Sequence, residues 1–203
     1  AMTQKGWVNG GNTTLDNLVY TYKNTNASNR LESVSDAGTT ITAQGDFTDK
    51  NTTGADYDYN QSGSITKDLN KHISAITYNH LNLPLVVSVT NNEPGKTAKG
   101  TVTYLYDGMG NKLKKTVYEI SATVPFGAGT VASSITTVTT YLGGAVYESK
   151  TYGNASLASL NYTDRLQFIG FEEGRIRLEQ ASTATCTAQP IRFIYDYFLR
   201  DHL

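Results

Sequence analysis

Cysteine is nearly missing from this chain. Cys186 is the only one in 203 residues, which excludes an internal disulfide and any zinc site built on cysteine pairs. Stability therefore has to come from packing and from backbone pairing. An exported protein can do without disulfides, so the count assigns no compartment. Histidine is scarce as well: His72, His80 and His202 are too dispersed to form a metal cluster or to supply a base with an evident partner. His80 falls in a turn and reads as solvated, and His202 reads as a structural hydrogen-bonding residue. No run of about 18 apolar residues occurs, so no membrane-spanning helix is expected. The N-terminus shows no basic-then-apolar signal sequence, and residues 1–17, from Ala1-Met2 onward, read as an expression scar and a lead-in. An excess of charge of one sign is also absent. Lys and Arg number 17 against 18 Asp and Glu, and the basic residues are scattered, so the electrostatic footprint of a nucleic-acid binder is missing. The densest basic group, Lys112, Lys114 and Lys115, lies along a predicted strand and reads as a solvated face.

What the chain does have is β composition. Tyrosine occurs 14 times and glycine 18 times, while hydrophobic residues make up 38%. Tyr, Thr and Val suit a pleated surface, and Asn and Gly suit the turns between strands. Period-two runs recur at 18–22, 73–78, 101–106, 114–118, 135–141 and 191–195, each bounded by turn residues. No helical periodicity is sustained; Thr13 to Leu18 predicts a short turn at most. Longer loops are expected at 24–29, 46–56, 91–95 and 125–129. One domain, all-β and antiparallel, is the expectation at this length.

One phrase repeats along the chain: a tyrosine at a strand end, Asp or Asn, two variable residues, Gly or Asn, and then a return to the strand. It runs Tyr57-Asp58-Tyr59-Asn60-Gln61-Ser62-Gly63-Ser64-Ile65, then Tyr78-Asn79-His80-Leu81-Asn82-Leu83, then Tyr104-Leu105-Tyr106-Asp107-Gly108-Met109-Gly110-Asn111. The Asp or Asn can cap the turn, and the later Gly can take φ > 0 without a Cβ clash. Gly63, Asn82, Gly110 and Gly174 are the predicted left-handed positions. A single hairpin cannot bury its own apolar side, so successive hairpins must stand side by side in a curled, open sheet. The outermost strands then present unpaired edges that invite self-association.

Candidate binding chemistry is thin. Asp58, Asn60, Ser62 and Gly63 follow the start of an EF-hand loop, but Leu69 stands where the bidentate Glu belongs and strands replace the flanking helices. The turn phrase explains the same residues. Glu172 with Glu173 and Asp196 with Asp201 are carboxylate pairs without a context that fixes a separation across a substrate. No nucleophile elbow or phosphate loop is present. Neither catalysis, a metal nor a cofactor is expected. Tyrosines two apart share a sheet face, so Tyr57, Tyr59, Tyr104 and Tyr106 are candidates for stacking on sugar rings of a polysaccharide. The competing reading is a structural ladder, which also describes Tyr20 with Tyr22 and Tyr195 with Tyr197.

At these residues the chain resembles the YD-repeat, or Rhs, family. Tyr106-Asp107-Gly108-Met109-Gly110-Asn111 follows that family's tyrosine-aspartate-x-x-glycine-asparagine phrase, and Tyr59 to Ser64 follows it with Asn for Asp and Ser for Asn. Tyr141-Leu142-Gly143-Gly144, Phe171 to Ile176 and Tyr195 to Leu203 are similar to the beginning of the Rhs-associated core of Bacteroidetes-type members. The resemblance implies hairpin repeats over 18–140 and a core-like region over 141–203 in one continuous structural domain. It further implies a partial β-shell that encloses or displays a C-terminal toxin or effector, in a secreted or cell-surface bacterial protein. The partners it implies are the rest of the same polypeptide and that cargo. The chain stops at Asp201-His202-Leu203, where the family pattern would continue with glycine and asparagine, so a wall segment without cleavage apparatus or cargo is expected.

Overall fold

The computed structural model describes residues 2–8, 13–38, 47–90, 98–178 and 192–198. Within them the protein is all-β and antiparallel, in two compact units, Ala1–Lys99 and Gly100–Leu203.

The first unit begins with a three-stranded meander, β1 (Met2–Val8), β2 (Thr13–Tyr22) and β3 (Leu31–Asp36), in which β2 is central. The expected turn at Thr13 to Leu18 is thus a correction: these residues are extended. Pairing on both sides, Leu18 with Gln4 and with Asp36, overrides any local turn preference. Four further strands follow, β4 (Tyr57–Tyr59), β5 (Ile65–Asp68), β6 (Ile73–Tyr78) and β7 (Pro84–Thr90), each paired with the next. The second unit holds all of β8 (Ala98–Tyr106) but its first two residues, and then β9 (Lys112–Phe126), β10 (Gly129–Leu142), β11 (Ala145–Tyr152), β12 (Tyr162–Phe171), β13 (Gly174–Leu178) and β14 (Phe193–Tyr197), each paired with the next. Every one of these pairings joins neighbours in the chain, the simplest topology a hairpin sequence can give.

The turn phrase has one geometry used three times. The backbone N–H of Asn60, Asn79 and Asp107 donates to the carbonyl four residues on, at Ser64, Leu83 and Asn111. The same residue's side-chain Oδ1 accepts the returning amide, at 2.9, 2.9 and 2.8 Å respectively. The fourth residue of each loop is left-handed: Gly63 at φ 85°, Asn82 at φ 58° and Gly110 at φ 89°. The register shifts beside the loop in all three hairpins, opposite Asp58/Tyr59, Thr77/Tyr78 and Leu105/Tyr106, each time with one extra residue on the returning strand: Thr66, Leu85 and Leu113. The extra residue strengthens local twist. Consecutive hairpins are also tied at their turns, because Asn82 Nδ2 lies 2.7 Å from Ser64 Oγ and the Tyr78 hydroxyl donates to the Ile65 carbonyl.

Two sequence expectations need correction. The 125–129 segment is a two-residue hairpin: Phe126 pairs with Gly129 around Gly127-Ala128, and Gly127 at φ 61° makes the tight reversal feasible. Gly174 is not left-handed. It opens β13, opposite Phe171 and Tyr197, and a Cβ there would stand 2.1 Å from the Asp196 carbonyl oxygen. Glycine is required at this position by a neighbouring backbone, not by φ.

The apolar core is small. Among the described residues the buried hydrophobic side chains are Leu18, Val34, Val124 and Leu157, while Asp56, Asp68, Asn70, Ser133 and Thr139 are buried polar groups. Leu157 comes from a short 3-10 helix, Ala155–Leu160, capped by the Asn154 side chain. Asn154 also donates to the Ala132 carbonyl, and its own amide donates to Ser133 Oγ where the register between β9 and β10 shifts. The plug is thus held against the sheet by hydrogen bonds on one asparagine.

Candidate functional site

The densest side-chain chemistry lies in the first unit, where the meander meets β4. Asp56, fully buried, stands one residue before that strand. Its Oδ2 accepts the Val34 amide at 2.8 Å and Asn70 Nδ2 at 3.0 Å, and its Oδ1 accepts Asn51 Nδ2 at 3.0 Å. Its backbone N–H donates to the Glu32 carbonyl and its carbonyl accepts the Leu69 amide. Three donors therefore converge on the carboxylate and two more bonds hold the Asp56 backbone, which satisfies the rule that buried polar groups be paired. Asn51, Asp56 and Asn70 sit in irregular segments with no periodicity, and nothing in the sequence set them apart from ordinary loop residues.

Beside this joint, Tyr57 and Tyr59 line a cleft of about 560 Å³ together with Leu31, Phe47, Ile65, Asp68 and the lysines Lys50 and Lys71. Burial raises both hydroxyls above the ordinary tyrosine value of 10.0; the hydrogen bonds to the Asn70 side chain and the Leu31 backbone oppose that shift. Those same bonds hold the rings in place. Asp68 is buried on the wall, accepting the Lys71 amide, with Lys71 Nζ at 3.7 Å.

Tyr59 also borders a second, more polar cavity of about 340 Å³ with Lys23, Asn24, Ser28, Arg30 and Asp58. Here Lys23 Nζ is 3.1 Å from Asp58 Oδ1 and 4.0 Å from Glu32, while Lys67 is 3.8 Å from Asp58 Oδ2. Arg30 lies 5.9 Å over the Tyr59 ring. Asp58, the first residue of the EF-hand-like pattern, is thus held by lysines, and Asn60 Oδ1 is committed to the Ser64 amide. Among the described residues no group of three or more His, Cys, Asp or Glu gathers in a way that could hold a metal.

The other tyrosine pair behaves differently. Tyr104 and Tyr106 stand 6.2 Å apart at 31°, and Lys112 Nζ sits 4.7 Å over the Tyr104 ring and 6.0 Å from that of Tyr141. A sugar ring stacking there would have to displace an ammonium from the aromatic face. The structure therefore separates the four candidate stacking residues: Tyr57 and Tyr59 line a cleft, and the face of Tyr104 is covered. His72 takes φ 58° and its carbonyl accepts the Thr90 amide, while His80 is exposed in the second turn loop. Glu172 and Glu173 form the two-residue turn between β12 and β13. Asp196 pairs with Arg175 at 2.9 Å and Arg177 at 2.8 Å. Its expected companion Asp201 lies outside the described residues, as do Cys186 and His202.

No helix among the described residues is long and apolar enough to cross a membrane. No family model, curated protein or solved structure matches the chain.

Proposed function

We propose that this chain is a structural wall segment of a secreted or surface-displayed bacterial protein of the YD-repeat (Rhs) type, serving to enclose or display another module and not to catalyse. The observation that carries this reading is the five-residue loop made three times with the same backbone bonds, the same side-chain cap and the same left-handed fourth residue. A chain that invests its regularity in identical turns and nearest-neighbour pairing builds surface by repetition. The coding region that contains this chain provides the test. A longer repeat protein carrying an effector module, whose resistance to trypsin falls when the β8–β9 hairpin is deleted, supports the reading. A stand-alone open reading frame with hydrolase activity overturns it.

A second reading, saccharide binding, is favoured by the cleft at Tyr57 and Tyr59, whose size and mixed aromatic and polar lining suit a small ligand. Retention on immobilised polysaccharide that disappears in Tyr57→Ala, with the circular dichroism spectrum preserved, supports it. Retention unchanged in that variant sinks it.

A further inference from the structure

We infer that the outer edge of β14 is a self-pairing surface, and that its occupant is β14 of a second copy of this chain, antiparallel about a twofold axis through Tyr195. Among the described residues β14 is paired on one side only, with β13. Which backbone groups that pairing uses can be read from two contacts. The Phe198 amide donates back to the Glu173 carbonyl, and the Asp196 carbonyl is the atom that would crowd a Cβ on Gly174. Residues 194, 196 and 198 therefore point their backbone groups toward β13. Alternation along an antiparallel strand leaves the N–H and C=O of Phe193, Tyr195 and Tyr197 directed outward.

Those three outward residues are also aromatic and exposed, at 56%, 56% and 67%, and Phe198 beyond them is 58% exposed. The usual protections of an edge strand are missing: β14 contains no lysine, no proline and no bulge. Its one charge, Asp196, is already neutralised by Arg175 and Arg177 of β13. Antiparallel pairing centred on Tyr195 sets Tyr195 against itself, Phe193 against Tyr197 and Ile194 against Asp196. Aromatic residues then meet aromatic residues and no like charges face each other, so the strand is complementary to its own copy, as an isologous contact requires. Such a ladder forms roughly six backbone hydrogen bonds. The inference goes beyond the wall reading, because it concerns association between chains.

The test is sedimentation velocity on the full chain from low to high micromolar concentration, paired with disulfide trapping. Reversible dimerisation is expected, as is a monomer for Tyr195→Lys, which places two ammonium groups on the axis. In a Cys186→Ser background, Tyr195→Cys is expected to cross-link to itself under mild oxidation, because a directly opposed pair places Cα atoms about 5.5 Å apart, within disulfide reach. Ile194→Cys, displaced from the axis, is expected to cross-link far more slowly. A wild-type chain that stays monomeric throughout overturns the inference, and so does a dimer that survives Tyr195→Lys. Equal trapping at positions 194 and 195 would place the contact elsewhere and overturn it as well.

Discussion

Asp107 Oδ1 accepts the Asn111 amide at 2.8 Å, and Asn111 Nδ2 returns a bond of 2.8 Å to Asp107 Oδ2, so one carboxylate closes the whole loop between β8 and β9. The Asn111 side-chain bond, followed by the Asn111 and Met109 amides, holds the Asp107 carboxyl below its ordinary value of 3.8. In the two sister loops Asn60 and Asn79 do the same work without charge, accepting the amides of Ser64 and Leu83. The phrase therefore tolerates Asp or Asn at its first position because either offers the same acceptor.

The fourth loop position is less tolerant. Gly110 sits at φ 89°, where a β-branched residue is strained, so Gly110→Val is expected to lower stability by more than about 1 kcal/mol. Gly110→Asn is expected to be much milder, since Asn82 already occupies the equivalent place at φ 58°. Urea unfolding of the two variants checks this. Equal losses would mean that the conformation of the loop is not what the substitution disturbs.

The buried joint gives a second prediction. Asp56→Ala strands three donors, from Val34, Asn51 and Asn70, in a site closed to water. Each buried donor left without its acceptor costs about 1 to 3 kcal/mol. Asp56→Asn keeps the shape but presents an N–H₂ where one of those donors points, so it is expected to recover only part of the loss. Hydrogen exchange of the Val34 amide is the local readout, and it should accelerate in both variants.

How much of this was legible beforehand differs from residue to residue. The turns were readable because their requirements are local: a capping side chain and a residue able to take φ > 0 at fixed spacing, as at Gly63, Asn82 and Gly110. Gly174 belongs to another class, since what excludes a side chain there is the carbonyl of Asp196, a residue 22 positions away that only strand pairing brings near. Thr13 to Leu18 misled for the same reason, because its strand state is imposed by β1 and β3. Asp56 was invisible for a third reason. Its five partners lie on three segments, of which β3 and the Leu69-Asn70 turn are brought near only by the fold, and a polar residue in a loop carries no mark of burial.

A third prediction concerns Asp196. Hydrogen bonds from Arg177 and then Arg175 hold its carboxyl below the ordinary 3.8. A carboxyl with a depressed folded value contributes stability that is fully present above the unfolded value and is lost as pH falls through the folded one. The β13–β14 pair should thus keep this contribution at neutral pH and lose it only below 3.8. A carboxyl-detected NMR titration is expected to place the Asp196 midpoint below 3.8 and to move it upward in Arg177→Ala. An unmoved midpoint would show that the arginine does not set it.

Tyr162 titrates in the opposite sense. Burial first, and then the hydrogen bond it donates to Glu148, push its hydroxyl up to about 12 from 10.0. The Arg165 guanidinium, 4.1 Å over the ring, pulls the other way. A group whose folded value is raised contributes stability that is complete below the unfolded value and is lost as pH rises through the folded one. The β11–β12 pairing should therefore be at full strength up to about pH 10 and should weaken between there and about 12. Glu148→Gln removes the charge that opposes ionisation, while the amide oxygen can still accept the hydroxyl proton. Ultraviolet difference titration is expected to show a late-titrating tyrosine component in the parent chain that includes Tyr162, and a smaller late component in Glu148→Gln. If the late component persists unchanged, burial alone sets it and the Glu148 contact has no part.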